Sequence, residues 1–448
     1  MKVSRITIKD FHQFKDLDLD LTYPAGHPKA GKPLDKVCFI GQSGTGKTTL
    51  LEMIPLFTSR YHTKSFPEDS DDYLDKISVS ISYGHNSEFN TTVVDKLLDF
   101  RIWSWDESHT PKYADQTREY DPIEYYNLEW TKKIASKIVY LPANLNFEID
   151  DIEDPNYSYG KIVDFSKSNV SAVWNLILDS IQKYHEQELQ IRQDISKAVE
   201  QAPNDLDGIR LAVNKLEQWK KSQFNPIADV ADNCLDALLA NFKLRVKREF
   251  NFNTKGDIGF IKIEDFNKNE IPHHLWSTGT KQIVLSSLPL YLLKPQHTII
   301  LIDEPERSLY PDLQRLIINY YASLTKGCQF FYSTHSPIIA ASFEPWEIVE
   351  LKFNEAGQVY RDAYYEGENH VDNYFIDPRY LDYDLILKKV FDMKDTNADL
   401  RTEAIVEITM LKNQIDQLKA EGKLKTKEAK DIIIRYKNLA NKLAWKTE

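Results

Sequence analysis

One eight-residue run restricts the fold more than anything else in the chain. Gly41-Gln42-Ser43-Gly44-Thr45-Gly46-Lys47-Thr48 satisfies G-x-x-x-x-G-K-[ST] in full. It follows a short apolar run, Val37-Cys38-Phe39-Ile40, which reads as a strand, and it precedes a helix expected over Thr48–Thr58. Gly41, Gly44 and Gly46 let the backbone wrap an anion so that successive N–H groups point inward. The helix N-terminus adds a partial positive charge. In such a loop Lys47 reaches the β- and γ-phosphates of a nucleotide and the Thr48 hydroxyl binds Mg²⁺, with Ser43 and Thr49 in the same cradle.

A second element belongs with the first. Thr298-Ile299-Ile300-Leu301-Ile302 is the most strand-like run in the chain, and it ends in Asp303-Glu304. A strand tip beside a phosphate loop brings Asp303 to the magnesium side, and leaves Glu304 to act on water as a general base.

Three further segments follow in a fixed order. Trp276-Ser277-Thr278-Gly279-Thr280-Lys281-Gln282 lies about twenty residues before the acidic pair. Glu304-Pro305-Glu306-Arg307-Ser308-Leu309-Tyr310-Pro311 continues from that pair, and Ser333-Thr334-His335-Ser336-Pro337 follows another apolar strand. Together with the phosphate loop, these resemble the signature, D-loop and switch-histidine loop of the ABC-type ATPases of the SMC, RecF and OLD group. The resemblance implies an α/β fold: an ABC-type P-loop ATPase head, a mixed β-sheet with helices. It implies ATP and Mg²⁺ as ligands, and two copies that sandwich the nucleotide. Ser277, Gly279 and Gln282 of one copy would then meet the phosphates held by Lys47 of the other. His335 would contact the γ-phosphate and hold the attacking water with Glu304; taken by itself it also reads as a capped loop histidine. Trp276 stands where that signature usually has leucine. No clear Q-loop glutamine is present, and Asn144, after Ile138-Val139-Tyr140-Leu141, is the candidate for its place. Phe11, His12 and Phe14 are candidates for stacking on the base, with a core role as the alternative for the phenylalanines.

The spacing sets the layout. Ser277 stands 230 positions after Lys47, which leaves room for an insertion. Within it, Ile177, Ile181, Tyr184, Ile191 and Ile195 step by three and four, which marks a helix from Val170 to about Gln201. Pro203 breaks it, Leu206–Trp219 makes a second helix, and Ala228–Val246 reads as a third. A thirty-residue helix is about 45 Å long, so the hairpin is a lobe and not a long coiled-coil arm. Strands are expected over the first 21 residues, at Ile77–Tyr83, Ile134–Leu141, Phe250–Ile263, Gln329–Tyr332 and Ile348–Phe353, with an acidic loop at Glu148–Pro155. The expected organisation is an ATPase core in two parts, 1–165 and 249–380, a helical insertion at 166–248, and a C-terminal helical hairpin at 381–448.

Composition excludes several classes. Glycine (15) and proline (19) are too sparse for a collagen-like or low-complexity chain. Cys38, Cys234 and Cys328 are odd in number and far apart, which excludes a disulfide scaffold or zinc ribbon and fits a reducing cytoplasm. His273-His274 have no partners at ligand spacing. No apolar run reaches the roughly 20 residues of a membrane span. The net charge of −12 argues against wholesale coating of nucleic acid and leaves a local basic surface open.

No nuclease pattern is visible, HNH type included, and the 113 residues after His335 hold no Toprim-like acidic cluster. The layout resembles the ATPase subunits of bacterial anti-phage systems, the Septu and retron-associated ATPases, which act with a separately encoded nuclease, often of HNH type. A RecF-like clamp on DNA is the alternative, and a scaffold with vestigial hydrolysis a third reading. The stretch Leu411–Glu448 carries ten Lys/Arg against five Asp/Glu. Its helices could dock a partner, pack on a second copy or on the chain's own core, or touch nucleic acid through Lys423, Lys425, Lys427 and Lys430.

Overall fold

The computed structural model describes residues 2–59, 77–83, 87–94, 97–105, 111–114, 138–145, 162–164, 169–201, 205–248, 261–362, 377–391, 393 and 399–445. The chain divides into two units, Met1–Leu381 and Asp382–Glu448.

The strands of the larger unit are β1 (Lys2–Phe11), β2 (Phe14–Asp20), β3 (Lys36–Gly41), β4 (Ile77–Tyr83), β5 (Ser87–Val94), β6 (Leu97–Trp105), β7 (Pro111–Ala114), β8 (Ile138–Leu141), β9 (Ile162–Asp164), β10 (Leu244–Val246), β11 (Ile263–Asp265), β12 (Glu270–Ile271), β13 (Ile299–Asp303), β14 (Gln329–Ser333), β15 (Ile348–Phe353) and β16 (Val359–Asp362). Among the described residues, thirteen of them form one sheet in the order β7-β6-β5-β4-β1-β2-β16-β15-β3-β14-β13-β8-β9, and β10, β11 and β12 form a small second sheet.

The large sheet has two characters. From β7 to β2 each neighbouring pair is antiparallel. From β15 through β3, β14, β13 and β8 to β9 every pair is parallel. The sequences follow this division. In β2, buried Phe14, Leu17 and Leu19 are separated by exposed residues, as one solvated face requires. The alternation slips once, at Asp16, where φ is 50°. By contrast, all five residues of β13 and of β14 are buried, as parallel strands covered on both faces must be. The helix after β3, α1 (Lys47–Ser59), carries Leu50, Leu51 and Ile54 into one apolar cluster with Phe39, Leu301, Phe331 and Val349.

A buried glutamine joins the two characters. Gln329, fully buried at the start of β14, accepts from the Val3 N–H of β1 at 2.6 Å. Its amide donates to the carbonyls of Val3 (2.8 Å) and Leu34 (2.9 Å).

The insertion contains α2 (Asn169–Gln201) and α3 (Leu206–Ser222). They meet through the Tyr184–Trp219 rings, 4.9 Å between centroids, and through Glu188, which accepts from Arg192 at 2.8 Å and pairs with Lys220 at 3.0 Å. The third helix expected at Ala228–Val246 does not run through. A helical stretch begins at Pro226, passes through a π-turn at Ala231–Leu235 and ends at Lys243, which takes the left-handed conformation at φ 60°. Asp236 then accepts from the Val246 N–H at 2.7 Å, and Val246 pairs with Ile263 in the small sheet. The local helix signal loses to that pairing. Most of the strand expected at Phe250–Ile263, the acidic loop at Glu148–Pro155 and the start of the one at Ile134–Leu141 lie outside the described residues.

The smaller unit holds a short helix, Tyr383–Lys389, and two long ones, α6 (Asp399–Ala420) and α7 (Lys427–Lys442); the intervening labels α4 and α5 belong to helices of the larger unit, Thr278–Leu293 and Pro311–Ser323. The turn between α6 and α7 contains Gly422 at φ 69°. Ile408, Ala440 and Leu443 form their buried seam, flanked by Ala404, Ile405, Tyr436 and Leu439. Leu400, Val406, Met410 and Ile434 stay exposed. No described helix is long and apolar enough to cross a membrane.

Gln329→Leu keeps the volume of the side chain but leaves the Val3 N–H and two carbonyls without their partner. The expected cost is about 2–4 kcal/mol, read as a lower midpoint in urea unfolding at unchanged slope.

Candidate active site

Register decides where the functional side chains meet. Asp303 at the end of β13 pairs with Ser333 at the end of β14, and Ser333 pairs with Phe39 of β3, two residues before Gly41. The C-terminal ends of three adjacent parallel strands therefore carry the acidic pair, the switch loop and the phosphate loop. That edge is where open α/β sheets bind their ligands.

The phosphate loop is compressed by its surroundings. Gly41 (φ 142°) packs so closely on β15 that a Cβ there would sit 2.2 Å from the Leu351 carbonyl oxygen. At Gly46 (φ 83°) a Cβ would meet Phe14 Cζ at 2.4 Å and Gln13 Nε2 at 2.6 Å. Thr45 is buried and donates from Oγ1 to the Gln42 carbonyl at 2.8 Å. Lys47 Nζ folds back onto the carbonyls of Gly41 and Gln42, each at 3.0 Å. Burial pulls the Lys47 ammonium below its ordinary pKa, and the charges of Asp303, Glu304 and Glu306 oppose that shift. Ser43, Gly44 and Thr48 are exposed, and Thr49 is half-buried.

The Asp303 carboxylate is the centre of the arrangement. Its Oδ2 accepts from Thr48 Oγ1 at 2.9 Å, and its Oδ1 accepts from Ser333 Oγ. Glu304, the next residue, has φ 46°, an uncommon conformation for a residue with a Cβ. Its N–H donates to the Ser333 carbonyl at 2.9 Å, and Arg307 is 3.9 Å from its carboxylate. His335 is exposed; what packing surrounds the imidazole lowers its pKa, Lys47 lowers it further, and Glu304 and Asp303 act in the opposite sense. The loop thus brings Lys47, Thr48, Asp303, Glu304 and His335 into one electrostatic neighbourhood.

The signature residues start the helix α4. Ser277 is its N-cap: Oγ accepts from the Thr280 N–H at 3.1 Å and lies 2.8 Å from Thr280 Oγ1. Ser277 and Thr278 are exposed, whereas Gly279, Thr280 and Gln282 are buried. A Cβ on Gly279 would stand 2.6 Å from the Ser308 carbonyl oxygen and 3.5 Å from the Phe242 ring. The glycine is needed for that contact, because backbone cannot yield as a flexible side chain can. Trp276 is buried and donates from Nε1 to the Ile271 carbonyl at 2.9 Å.

Other sequence candidates separate. Phe14 is a core residue under Gly46, fully buried. His12, at φ 49°, is exposed at the turn between β1 and β2. Asn144 is exposed three residues past the tip of β8, the neighbour of β13. The three cysteines are free and buried, and burial pushes the Cys38 thiol far up. Sequence reading did not assign Ser333, Glu306 or Gln314. Glu306 accepts through Oε1 from Thr334 Oγ1 (2.6 Å) and from the His335 N–H (3.0 Å), and burial raises its carboxyl pKa. Two carboxylates one residue apart at a strand tip were the visible signal, but nothing local says which of them turns inward.

A glycine-rich loop leading into a helix, with a buried lysine and a hydroxyl-held aspartate on the adjoining strand tips, defines a P-loop nucleotide site. The AAA ATPase domain family matches residues 1–340, about three quarters of the length, and the chain belongs to that family. It is an ATPase: it binds ATP and hydrolyses it to ADP and phosphate. Among solved structures, the Smc head domain of Pyrococcus furiosus with an extended coiled coil, bound to the C-terminal domain of ScpA, is similar at 13% identity, covering 81% of this chain and 96% of that one, with a TM-score of 0.39. The SMC head domain of Thermotoga maritima is similar at 11% identity, with 81% and 98% covered and a TM-score of 0.36. For the Smc head domain of Pyrococcus yayanosii the values are 10%, 83%, 98% and 0.39. No curated protein matches the chain.

Gly279→Ala forces its new methyl against the Ser308 backbone. Overpacking of this kind costs about 1–3 kcal/mol, and the expected result is a lower thermal midpoint together with slower ATP turnover.

Proposed function

We propose that the chain is an ATP-driven switch in which two copies close on nucleotide, and that it controls a separate effector nuclease in anti-phage defence. The carrying observation is the convergence of Lys47, Thr48, Asp303, Glu304 and His335 on the tips of three adjacent strands, while Ser277 and Thr278 stay exposed at the start of another helix.

The roles follow from the positions. The loop amides from Gly44 to Thr48, with Gly41 and Ser43 shaping the turn, bind the β-phosphate, and Thr49 binds next to them. Lys47, released from the two carbonyls it caps, neutralises charge between the β- and γ-phosphates. Thr48 and Asp303 present a hydroxyl and a carboxylate 2.9 Å apart, hard oxygen donors of the kind Mg²⁺ takes. They would hold the ion, and its chemistry is to neutralise charge on the phosphate oxygens. Glu304 takes the proton of the attacking water. His335, whose pKa is lowered by burial and by Lys47, accepts from that water or donates to the γ-phosphate. Ser277, Gly279 and the dipole of α4 complete the site of a second copy, while Gln282, expected to meet the same phosphates, is buried in the helix.

For the effector, the support is the resemblance in layout and the smaller unit. Its helices expose Leu400, Val406, Met410 and Ile434, apolar side chains that suit the apolar face of a partner helix. Affinity purification in Mg-ATP from the native host tests this. A nuclease recovered at fixed ratio supports the reading. Recovery of the ATPase alone, or with DNA that salt removes, replaces it with a DNA clamp of the RecF kind.

Two variants test the site itself. Lys47→Ala is expected to lose most ATP binding, measured by equilibrium titration with a fluorescent ATP analogue. Glu304→Gln is expected to bind ATP, to turn over at least about a hundredfold more slowly, and to accumulate the closed assembly in size-exclusion chromatography; normal turnover would contradict the base assignment.

A further inference from the structure

Beyond the Ser333–Asp303 hydrogen bond, the acidic turn and the switch-histidine loop are joined at three points. At the first, the Glu304 N–H donates to the Ser333 carbonyl at 2.9 Å. At the third, Gln314 of α5 accepts from Ser336 Oγ at 2.7 Å and donates to the Leu309 carbonyl at 2.9 Å. Between them stands Glu306, and only this tie ends on His335. Its Oε1 takes two hydrogen bonds from consecutive residues of the other loop, Thr334 Oγ1 and the His335 N–H. Its own loop is closed underneath, by Arg307 N–H to Glu304 O at 3.0 Å and Leu309 N–H to Glu306 O at 2.9 Å.

The other carboxylate oxygen, Oε2, is buried and has no hydrogen-bond partner among the described residues. A carboxylate in that condition is expensive, since an idle buried oxygen forfeits its hydration without return. If the position served packing alone, an apolar residue of similar size would be the cheaper occupant. A single oxygen accepting from two adjacent groups does something packing cannot: it fixes the direction in which the backbone delivers the next side chain.

We propose that Glu306 is a positioning residue, whose carboxylate locks the His335 backbone to the turn that carries Glu304, so that the base and the histidine meet the γ-phosphate and its attacking water as one rigid pair. The inference rests on the roles given above to Glu304 and His335. Glu306 acts through His335, by way of its hydrogen bonds to Thr334 and the His335 N–H. Its loss lowers the rate of the chemical step and spares ground-state binding of ATP, which belongs to the phosphate loop. Rigid presentation matters because a misplacement of about 1 Å can cost about a hundredfold in rate.

The test is a double-mutant cycle on the full chain, with kcat, KM and fluorescent-ATP affinity measured for Glu306→Ala, His335→Ala and the pair. Glu306→Ala is expected to lower kcat by about tenfold or more with ATP affinity nearly unchanged. The double variant is expected to be no slower than His335→Ala alone, because the effect of Glu306 passes through the histidine. Glu306→Gln keeps the Oε1 acceptor and fills the Oε2 position, and is expected to restore most of the rate; it also carries the test if the alanine variant does not fold. Full additivity of the two losses, a wild-type kcat in Glu306→Ala, or a glutamine variant as slow as the alanine one overturns the proposal. A wild-type kcat in His335→Ala alone marks a different failure, that of the histidine's assigned role, and takes the Glu306 inference with it.

Discussion

The site depends on one carboxylate held between two hydroxyls. Asp303 receives Thr48 from the start of the first helix and Ser333 from the neighbouring strand, so three elements distant in sequence are pinned at one point. The pinning is possible because β3, β14 and β13 are parallel and in register, which brings their C-terminal ends level. Parallel pairing needs crossover segments and burial on both faces, and the runs Ile299–Asp303 and Gln329–Ser333 have the composition for it.

Around that point the backbone packs at distances only glycine allows. Gly41 lies on the Leu351 carbonyl, Gly46 on Phe14, and Gly279 on the Ser308 carbonyl. These contacts tie the phosphate loop to the central strands and the signature helix to the acidic turn. The glycines therefore have two separate duties. In the loop they supply positive φ and open amides; at the head of α4 the duty is clearance, since Gly279 sits in an ordinary helix and is required only by what it touches.

The parts of the structure legible in the sequence were those with a local cause. The phosphate loop and the apolar strand before the acidic pair are each dictated by residues within about ten positions of one another, the range in which turn chemistry and periodicity act. What the sequence concealed was decided at long range. Val246 pairs with Ile263 and ends a segment whose own pattern favours a helix. Gln329 reads as the polar first residue of a strand, yet it holds β1 and the Leu34 carbonyl. Glu306 stands in a motif read for its neighbours, and its inward turn depends on Thr334 and His335, which arrive from another strand.

The helix α3 has no buried residue at all. It leans on α2 through one ring pair and one shared glutamate, and it contributes nothing to the cluster that stabilises the sheet. Substitutions along it, away from Trp219 and Lys220, are therefore nearly invisible to the stability of the ATPase. Such a segment can lengthen, shorten or exchange its outer residues over generations while the catalytic edge stays the same. Leu206 and Leu211, exposed along it, are then as free to change as the polar residues beside them.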